Sequence, residues 1–478
     1  MNSNKKPEYM GKIKLLLLKI AKWEYTPLCL LVLIVLILHL NTIVQPKDLV
    51  FDESYYIPAA RSIIQGTGTN IIEHPPLSQL LIASGILLFG DSPLGWRFFS
   101  LIFGIFSIIL FFLTCRQLKI SKNTSFLATV LLSIENLSFV LAGIAMLDVY
   151  SLTFMLAAFW CYLKGWHVKA GLLIGLAALA KLSGALALLV ILLHWLFTSR
   201  DNKGKVFIII LVSMASFLIL MPLLDFAIWH RLLNPITQMS VMLTCAKSGT
   251  FAHYTQSPFG TLPTRPWEWL IHLNSIQLLE YSGMKHEWYI IYHLMISPSI
   301  WVLIIPSVLF MAYKAIKRSS IAIFVICWFA GTYLFWIPVS LITDRISYIY
   351  YFYPTIGAIC IGIALGITRI CNVNLKYGNL NKILSLITPM YLLVSLIVFM
   401  VLCPGNILLK VTCSIVIYAI TRYYLEAKDG PSLNSDRISS KTRDKITFVS
   451  TDKHGNKNSN GSDMSPNSRK DLDRGRKP

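Results

Sequence analysis

Apolar runs of about 20 residues, the length that a helix needs to cross a bilayer, recur along most of this chain. The first extends from Pro27 to Val44. The composition agrees, because 55% of the residues are hydrophobic and only 14% are charged, against about 25% charged in soluble proteins. The chain is therefore predicted to be a polytopic membrane protein.

Lysine and arginine cluster in short segments between the apolar runs, which is typical of membrane topology. This pattern, rather than a nucleic-acid surface, accounts for the net charge of +20, so we expect no nucleic-acid partner. The lysine-rich residues 1–26 precede a span with no small-residue cleavage site, unlike a signal peptide. We expect both termini to be cytoplasmic.

The spans predict an all-α transmembrane domain over residues 27–425 with about twelve helices and two large external loops, 48–95 and 228–297. The apolar stretch Ala170 to Thr198 contains Lys181. One crossing there would leave the following basic residues outside, so we predict two short helices that meet near Lys181. The polar residues 426–478 cannot bury enough surface to fold and are predicted to be a disordered cytoplasmic tail.

An acidic pair, Asp52-Glu53, lies just beyond the first apolar run, at the predicted water boundary of the first external loop. Such a pair is either a solvated turn or a site of chemistry. A like-charged neighbour and partial burial would both raise the pKa of a carboxyl group, which favours base function near neutral pH.

Further motifs accompany this pair along the chain. They are Phe51-Asp52-Glu53-Ser54-Tyr55-Tyr56, Glu73-His74-Pro75-Pro76-Leu77, Leu88 to Arg97, Ala145-Met146-Leu147-Asp148, Gly171 to Gly184 with Lys181, Arg265-Pro266-Trp267-Glu268-Trp269, and Arg345-Ile346-Ser347-Tyr348 leading to Tyr353-Pro354. In content and order these motifs resemble those of the dolichyl-phosphate-mannose protein mannosyltransferases, members of the glycosyltransferase C superfamily. The likeness spans nearly the whole membrane portion.

The resemblance implies a glycosyltransferase C type helical bundle whose first external loop packs amphipathic helices on the membrane surface. The segment Leu77 to Phe89 fits such a helix. Eukaryotic members carry a large soluble domain in the second external loop. The roughly seventy residues here cannot hold a typical domain of about 100 to 150 residues, so the chain resembles a compact prokaryotic form in a plasma membrane.

Catalytic roles follow from the resemblance. Asp52 matches the catalytic aspartate of the family, so we expect it to be the base that contacts the acceptor hydroxyl. Glu53 is expected to orient Asp52 or the acceptor, and its alternative is a solvated or capping carboxylate. The family inverts the anomeric carbon of the sugar.

The donor phosphate requires cations, and the candidates are Arg97, Arg345, His74 and Lys181. Arginine suits phosphate because its planar fork donates two parallel charge-assisted hydrogen bonds. The alternative for both arginines is snorkelling at a helix end. For Lys181 the alternative is an ion pair with an acid such as Asp148 or Glu135.

Asp148, Trp267 and Tyr348 are the further candidates for substrate contact. A tryptophan in a loop above the site either stacks on a sugar or anchors the chain at the membrane interface, and anchoring is the commoner role. The tyrosines from Tyr348 to Tyr353 raise the same choice between donor contact and lipid-facing packing.

A divalent metal ion is the one cofactor that the sequence raises. Related lipid A aminoarabinose transferases hold such an ion near the corresponding loops, and Glu73 with His253 would supply a carboxylate and an imidazole. Two ligands are few for a metal site. His253 would serve equally as a hydrogen-bond donor to substrate or as a structural histidine.

The function predicted is transfer of mannose, or a similar hexose, from a polyprenyl or dolichyl phosphate carrier to Ser/Thr hydroxyls of exported proteins at the external membrane face. The alternative acceptor is a lipid or cell-envelope glycan, as in the aminoarabinose transferases. A transporter is less favoured, because the ionisable residues concentrate in external loops and at helix ends and no inverted repeat is visible.

Overall fold

The structure is a computed structural model that describes residues 23–198, 203–253, 263–282, 287–371 and 378–426. The predicted tail lies outside the described residues from 427 onward, and so do residues 1–22 of the predicted N-terminal segment.

Almost all of the described chain is helical. The helices are α1 (Thr26–Thr42), α2 (Glu53–Ile64), α3 (Pro76–Phe89), α4 (Pro93–Gln117), α5 (Lys122–Ser133), α6 (Asn136–Gly143), α7 (Leu147–Leu163), α8 (His167–Ala180), α9 (Leu186–Thr198), α10 (Lys203–Trp229), α11 (Pro235–Ser248), α12 (Glu268–Ile271), α13 (Pro298–Trp301), α14 (Ile304–Ile316), α15 (Ser320–Phe329), α16 (Trp336–Thr343), α17 (Tyr353–Cys371), α18 (Gly378–Leu402) and α19 (Ile407–Glu426). The exception to the all-α prediction is an antiparallel hairpin of β1 (Ser275–Ser282) and β2 (Glu287–Met295).

The polytopic helical fold is confirmed, whereas the predicted count of about twelve spans is not. Among the described residues, seven helices are long and apolar enough to cross a membrane. The pair α5 and α6, bent by 59°, makes eight if it forms one broken span. Several other apolar helices, including α1, α7, α8 and α9, are shorter than a span of this length.

The predicted break at Lys181 is confirmed. Helix α8 ends at Ala180, Lys181 adopts an extended backbone, and a 3₁₀ turn over Leu182–Ala185 leads into α9. An extended residue between two apolar helices can turn its side chain away from lipid toward the protein interior. The Lys181 side chain is indeed buried.

The helix predicted from Leu77 to Phe89 is present as α3, which begins one residue earlier, at Pro76. A proline at the first helical position has a preset φ and no N–H to leave unbonded. The hydroxyl of Ser78 in α3 donates to the carbonyl oxygen of Ala180 at 2.9 Å. This bond links α3 to the break at Lys181.

The segment that precedes α12 is bonded to the turn that follows α16. Arg265 pairs with Asp344 at 2.6 Å, and the Ser347 hydroxyl donates to the Thr264 carbonyl oxygen at 2.6 Å. Thr250 forms an isolated β-bridge with Arg345. Segments distant in sequence are therefore held together beside the start of α17.

Helices α8 and α10 approach closely through two glycines of α8. A Cβ atom added at Gly175 would clash with the Ser216 hydroxyl of α10, and one added at Gly171 would lie 2.8 Å from the Val212 Cβ. Small residues four apart allow such contact between membrane helices. This crossing holds α8, and therefore Lys181 at its end, in place.

We predict that Gly175→Leu lowers the free energy of unfolding by about 1–3 kcal/mol, because the larger side chain forces α8 away from α10. Gly204→Ala is the matched control, since a Cβ at Gly204 meets nothing within 4 Å. Thermal unfolding of the purified full chain in detergent measures both. Equal melting temperatures for the two variants would contradict close packing at this crossing.

Candidate active site

Asp52 and Glu53 lie at the start of α2 but face different surroundings. Asp52 is the N-cap residue, is half-buried, and makes no side-chain capping hydrogen bond. Glu53, the first helical residue, is fully buried. The Asp52 carboxylate is therefore not used to cap its own helix, as an N-cap aspartate commonly is.

Glu53 forms a buried two-point ion pair with Arg97 of α4. Arg97 Nε donates to Glu53 Oε1 at 2.8 Å, and Arg97 Nη2 donates to Glu53 Oε2 at 2.7 Å. The same carboxylate also accepts from the backbone N–H groups of Val50 and Ala145, at 3.1 and 2.8 Å. The hydrogen bonds of Glu53 thus link α2 to α4 and to the segment before α7. These contacts support a positioning role for Glu53 and not a solvated carboxylate.

Arg97 has no N–H left for a phosphate. Besides Glu53, its guanidinium donates to the carbonyl oxygens of Ile43, Pro46 and Asp48 at 3.2, 2.9 and 3.4 Å. These bonds engage all five N–H groups that an arginine possesses. The predicted phosphate-binding role of Arg97 therefore does not fit this geometry, and neither does snorkelling, because the side chain is fully buried.

Lys181 and Asp148 form a second ion pair, in the interior beside Asp52. Lys181 Nζ lies 2.8 Å from each carboxylate oxygen of Asp148, which is in the first turn of α7. The ammonium group is also 5.0 Å from the ring centre of Tyr350 and 5.3 Å from that of Tyr351. The aromatic faces add a favourable contact for the same charge.

The charges of this pair act on Asp52. Burial raises the pKa of the Asp52 carboxyl to about 7, and the negative charge of Asp148 adds to the rise while the positive charge of Lys181 opposes it. A carboxyl group with a pKa near 7 is well matched to general base catalysis at neutral pH. Perturbed carboxyls of this kind cluster at functional sites.

His74 lies at the same site, next to Tyr56 of α2. Its Nε2 is 3.4 Å from the Tyr56 hydroxyl. Burial lowers the pKa of His74 to about 3, and the positive charges of Lys181 and Arg345 lower it further. At neutral pH the imidazole is uncharged, so the geometry supports a neutral hydrogen-bonding role instead of the predicted cation.

Arg345 is partly exposed, and its backbone forms an isolated β-bridge with Thr250. Its positive charge acts on His74, as the charge of Lys181 also does. Of the four predicted phosphate ligands, Lys181 is the one whose charge acts on Asp52.

The residues predicted to contact substrate differ in their burial and in their neighbours. Tyr348 is partly buried and stacks on Tyr350, with ring centres 5.7 Å apart. Trp267 is partly exposed and lies 5.8 Å from the Arg265 guanidinium. Trp269, in contrast, is fully buried and donates its indole N–H to the Thr264 hydroxyl at 2.9 Å, so it is a packing residue.

Tyr350 and Tyr351, which the sequence raised as possible donor contacts, lie against Lys181. The Tyr56 side chain, to which the sequence gave no role, lies within reach of the charge of Asp52. Tyr350 lies between Lys181 and Phe51, whose ring centre is 5.7 Å away. Tyr56 follows Asp52 by one helical turn, and that spacing is the signal that could have identified it. The contacts of Tyr350 and Tyr351 join residues far apart in sequence, so no local signal predicts them.

The metal proposal finds no further ligands. The described residues contain no group of three or more His, Cys, Asp or Glu side chains that could hold a metal ion. Glu73 is described and partly buried, whereas the His253 side chain lies outside the described part.

Known proteins resemble the chain in sequence and in fold. The sequence profile described as Dolichyl-phosphate-mannose-protein mannosyltransferase matches residues 89–232. The polyprenol-phosphate-mannose protein mannosyltransferase of Mycolicibacterium smegmatis is 30% identical over 171 residues, 28% of this chain and 33% of the relative. The Mycobacterium tuberculosis protein of that name is 28% identical over 203 residues, 35% of this chain and 39% of the relative.

A solved structure, the S. cerevisiae protein O-mannosyltransferase Pmt1-Pmt2 complex bound to the sugar donor, matches with a TM-score of 0.64 at 11% identity, covering 85% of this chain and 92% of that one. At this identity the match shows a shared fold, which agrees with the polytopic helical fold predicted from the sequence. The matches to the two mycobacterial relatives span about a third of their length. Over residues 89–232, the chain is similar in sequence to the dolichyl-phosphate-mannose protein mannosyltransferases.

Proposed function

We propose that this membrane protein transfers mannose from a polyprenyl phosphate carrier to Ser/Thr hydroxyls of exported proteins. The observation that carries the proposal is the half-buried Asp52 carboxyl, whose pKa is raised to about 7 beside the Lys181 and Asp148 pair. A base that titrates near neutral pH and cations for a departing phosphate are the two requirements of glycosyl transfer from a lipid phosphate.

The reaction assigns one task to each group. The acceptor hydroxyl oxygen attacks the anomeric carbon, its proton passes to Asp52, and the bond from that carbon to the phosphate oxygen breaks with inversion. The polyprenyl phosphate leaves with the electron pair of that bond. Lys181 and Arg345 hold the phosphate and stabilise the negative charge that develops on it.

Glu53 and Arg97 position Asp52 and do not contact the reacting atoms. Their buried ion pair fixes the first turn of α2, where Asp52 lies, against α4 and the segment that precedes Asp148. The backbone of Asp52 is thereby held at a fixed distance from Lys181. The neutral His74 and the Tyr56 hydroxyl provide hydrogen-bonding groups for the sugar or the acceptor.

An in vitro transfer assay tests the proposal. The purified full chain is given polyprenyl-phospho-mannose with labelled sugar and a Ser/Thr-containing peptide, and the control peptide carries alanine in place of each hydroxyl residue. We expect label only on the Ser/Thr peptide, and none when GDP-mannose replaces the lipid donor. Label on an added glycolipid or glycan but on neither peptide would favour the alternative acceptor. Equal use of GDP-mannose would contradict the proposal.

A further inference from the structure

Two lysines and two tryptophans form a compact cluster at the turn between α7 and α8. We name it the Trp-Lys cluster, and its members are Trp160, Lys164, Trp166 and Lys169. Lys164 Nζ lies 4.3 Å from the ring centre of Trp160 and 4.7 Å from that of Trp166. Lys169 Nζ lies 4.5 Å from the ring centre of Trp166, so both ammonium groups are within 5 Å of one indole.

The Trp-Lys cluster lies at the opposite end of α7 from Asp148 of the candidate active site. Asp148 is in the first turn of α7, and Lys164 directly follows the last residue of the same helix. At 1.5 Å per residue these two positions are about 24 Å apart along the helix axis. That distance is close to the thickness of the hydrocarbon core, about 30 Å.

Positive charge accumulates at the Trp-Lys cluster. Lys164 and Lys169 are both exposed, and neither pairs with an acidic side chain in the part of the chain that the structure describes. Lys205, near the start of α10, acts electrostatically on His167, the first residue of α8. Like charges gathered so closely repel unless an anion lies between them.

The cluster also has the shape expected of a site in the headgroup layer. Trp160 and Trp166 contact edge to face, with ring centres 5.5 Å apart, and Trp166 is 41% exposed. Tryptophan prefers the headgroup level of a membrane because its ring is apolar and its N–H is polar. The rings also hold the two flexible lysines in place, which lowers the entropy lost when an anion binds.

We propose that the Trp-Lys cluster binds the phosphate of an anionic phospholipid headgroup. The ammonium groups of Lys164 and Lys169 contact the phosphate oxygens, and the two indole rings lie among the glycerol and first acyl carbons. The site is separate from the proposed donor site, and its occupancy does not depend on the enzymatic reaction. Its effect is to anchor the end of α7 that lies farthest from Asp148.

The test compares lipid binding to the full-length protein in detergent, by native mass spectrometry and by the shift of the melting temperature. The ligands are phosphatidylglycerol, phosphatidylcholine with the same acyl chains, and glycerol 3-phosphate. We expect the protein to prefer phosphatidylglycerol, with no comparable shift from glycerol 3-phosphate. Equal binding of the two lipids would overturn the proposal, and an equal shift by glycerol 3-phosphate would assign the site to a free phosphate.

Variants locate the site. Lys164→Gln combined with Lys169→Gln should weaken phosphatidylglycerol binding by roughly 30-fold, because each lysine near an anionic surface contributes about 1 kcal/mol. Arginine at both positions should restore it. Lys317→Gln with Arg318→Gln removes two exposed charges from the turn between α14 and α15 and should leave binding within about threefold of wild type. Unchanged binding by the glutamine variant would place the lipid elsewhere.

Discussion

Asp52→Asn is expected to reduce mannosyl transfer by roughly 10²- to 10⁴-fold, the contribution typical of a positioned general base. Asparagine has nearly the same shape as aspartate but cannot accept the proton of the acceptor hydroxyl. Because Asp52 makes no side-chain capping bond, its replacement should not unfold α2. The melting temperature of the variant should therefore stay close to that of the wild type while its transfer rate falls.

The pH dependence of transfer provides an independent measure of the same group. Since the pKa of Asp52 is raised to about 7, the carboxylate form that acts as base is lost as the pH falls through 7. We expect kcat/KM to rise with pH and to level off above about 7. With Asp52→Asn, the residual rate should lose this dependence.

Glu24→Gln is the matched control for Asp52→Asn. It makes the same change from carboxylate to amide near the opposite end of α1, where Glu24 pairs with Arg116 at 3.0 Å on the protein surface. Its transfer rate should equal that of the wild type. Full activity of Asp52→Asn would remove Asp52 from the base role, and a large loss in Glu24→Gln would show that the assay responds to changes remote from the site.

Local sequence signals predicted much of the fold but only part of the site. The apolar runs predicted the helices, and the basic residues that follow the long apolar stretch around Lys181 predicted the break between α8 and α9. The hydrophobicity and the charge of each segment can be read directly from a single sequence. The hairpin β1 and β2 was missed, because aromatic and polar residues in an external loop are equally typical of irregular structure.

The roles of the charged residues were harder to predict because they depend on partners distant in sequence. Arg97 carried the signature of a phosphate ligand, yet Glu53, 44 residues away, accepts two of its hydrogen bonds. His74 was expected to be a cation, but burial beside Lys181 keeps it neutral. The sequence left open whether Lys181 binds the donor phosphate or pairs with an acid. The contact with Asp148 shows that the ion pair forms.

Breaking the buried Glu53 and Arg97 pair is expected to cause the largest loss of stability in the chain. Removing one partner of a buried ion pair leaves the other charge without compensation and costs about 3–5 kcal/mol. Both side chains here are 0% exposed, so water cannot replace the missing partner. Glu53→Gln should therefore lower the free energy of unfolding by that amount, and Arg97→Met should do the same.

The double variant Glu53→Gln with Arg97→Met separates the ion pair from simple packing. It removes both charges, so its stability should exceed that of either single variant, with a coupling energy of up to about 3 kcal/mol between the two sites. Glu24→Gln, which breaks a partly exposed pair, should change stability by no more than about 1 kcal/mol. Chemical unfolding of the four proteins beside wild type gives these values. Additive losses in the double variant would mean that the two side chains stabilise the fold independently, and Glu53 would then be a packing residue with no part in holding Asp52.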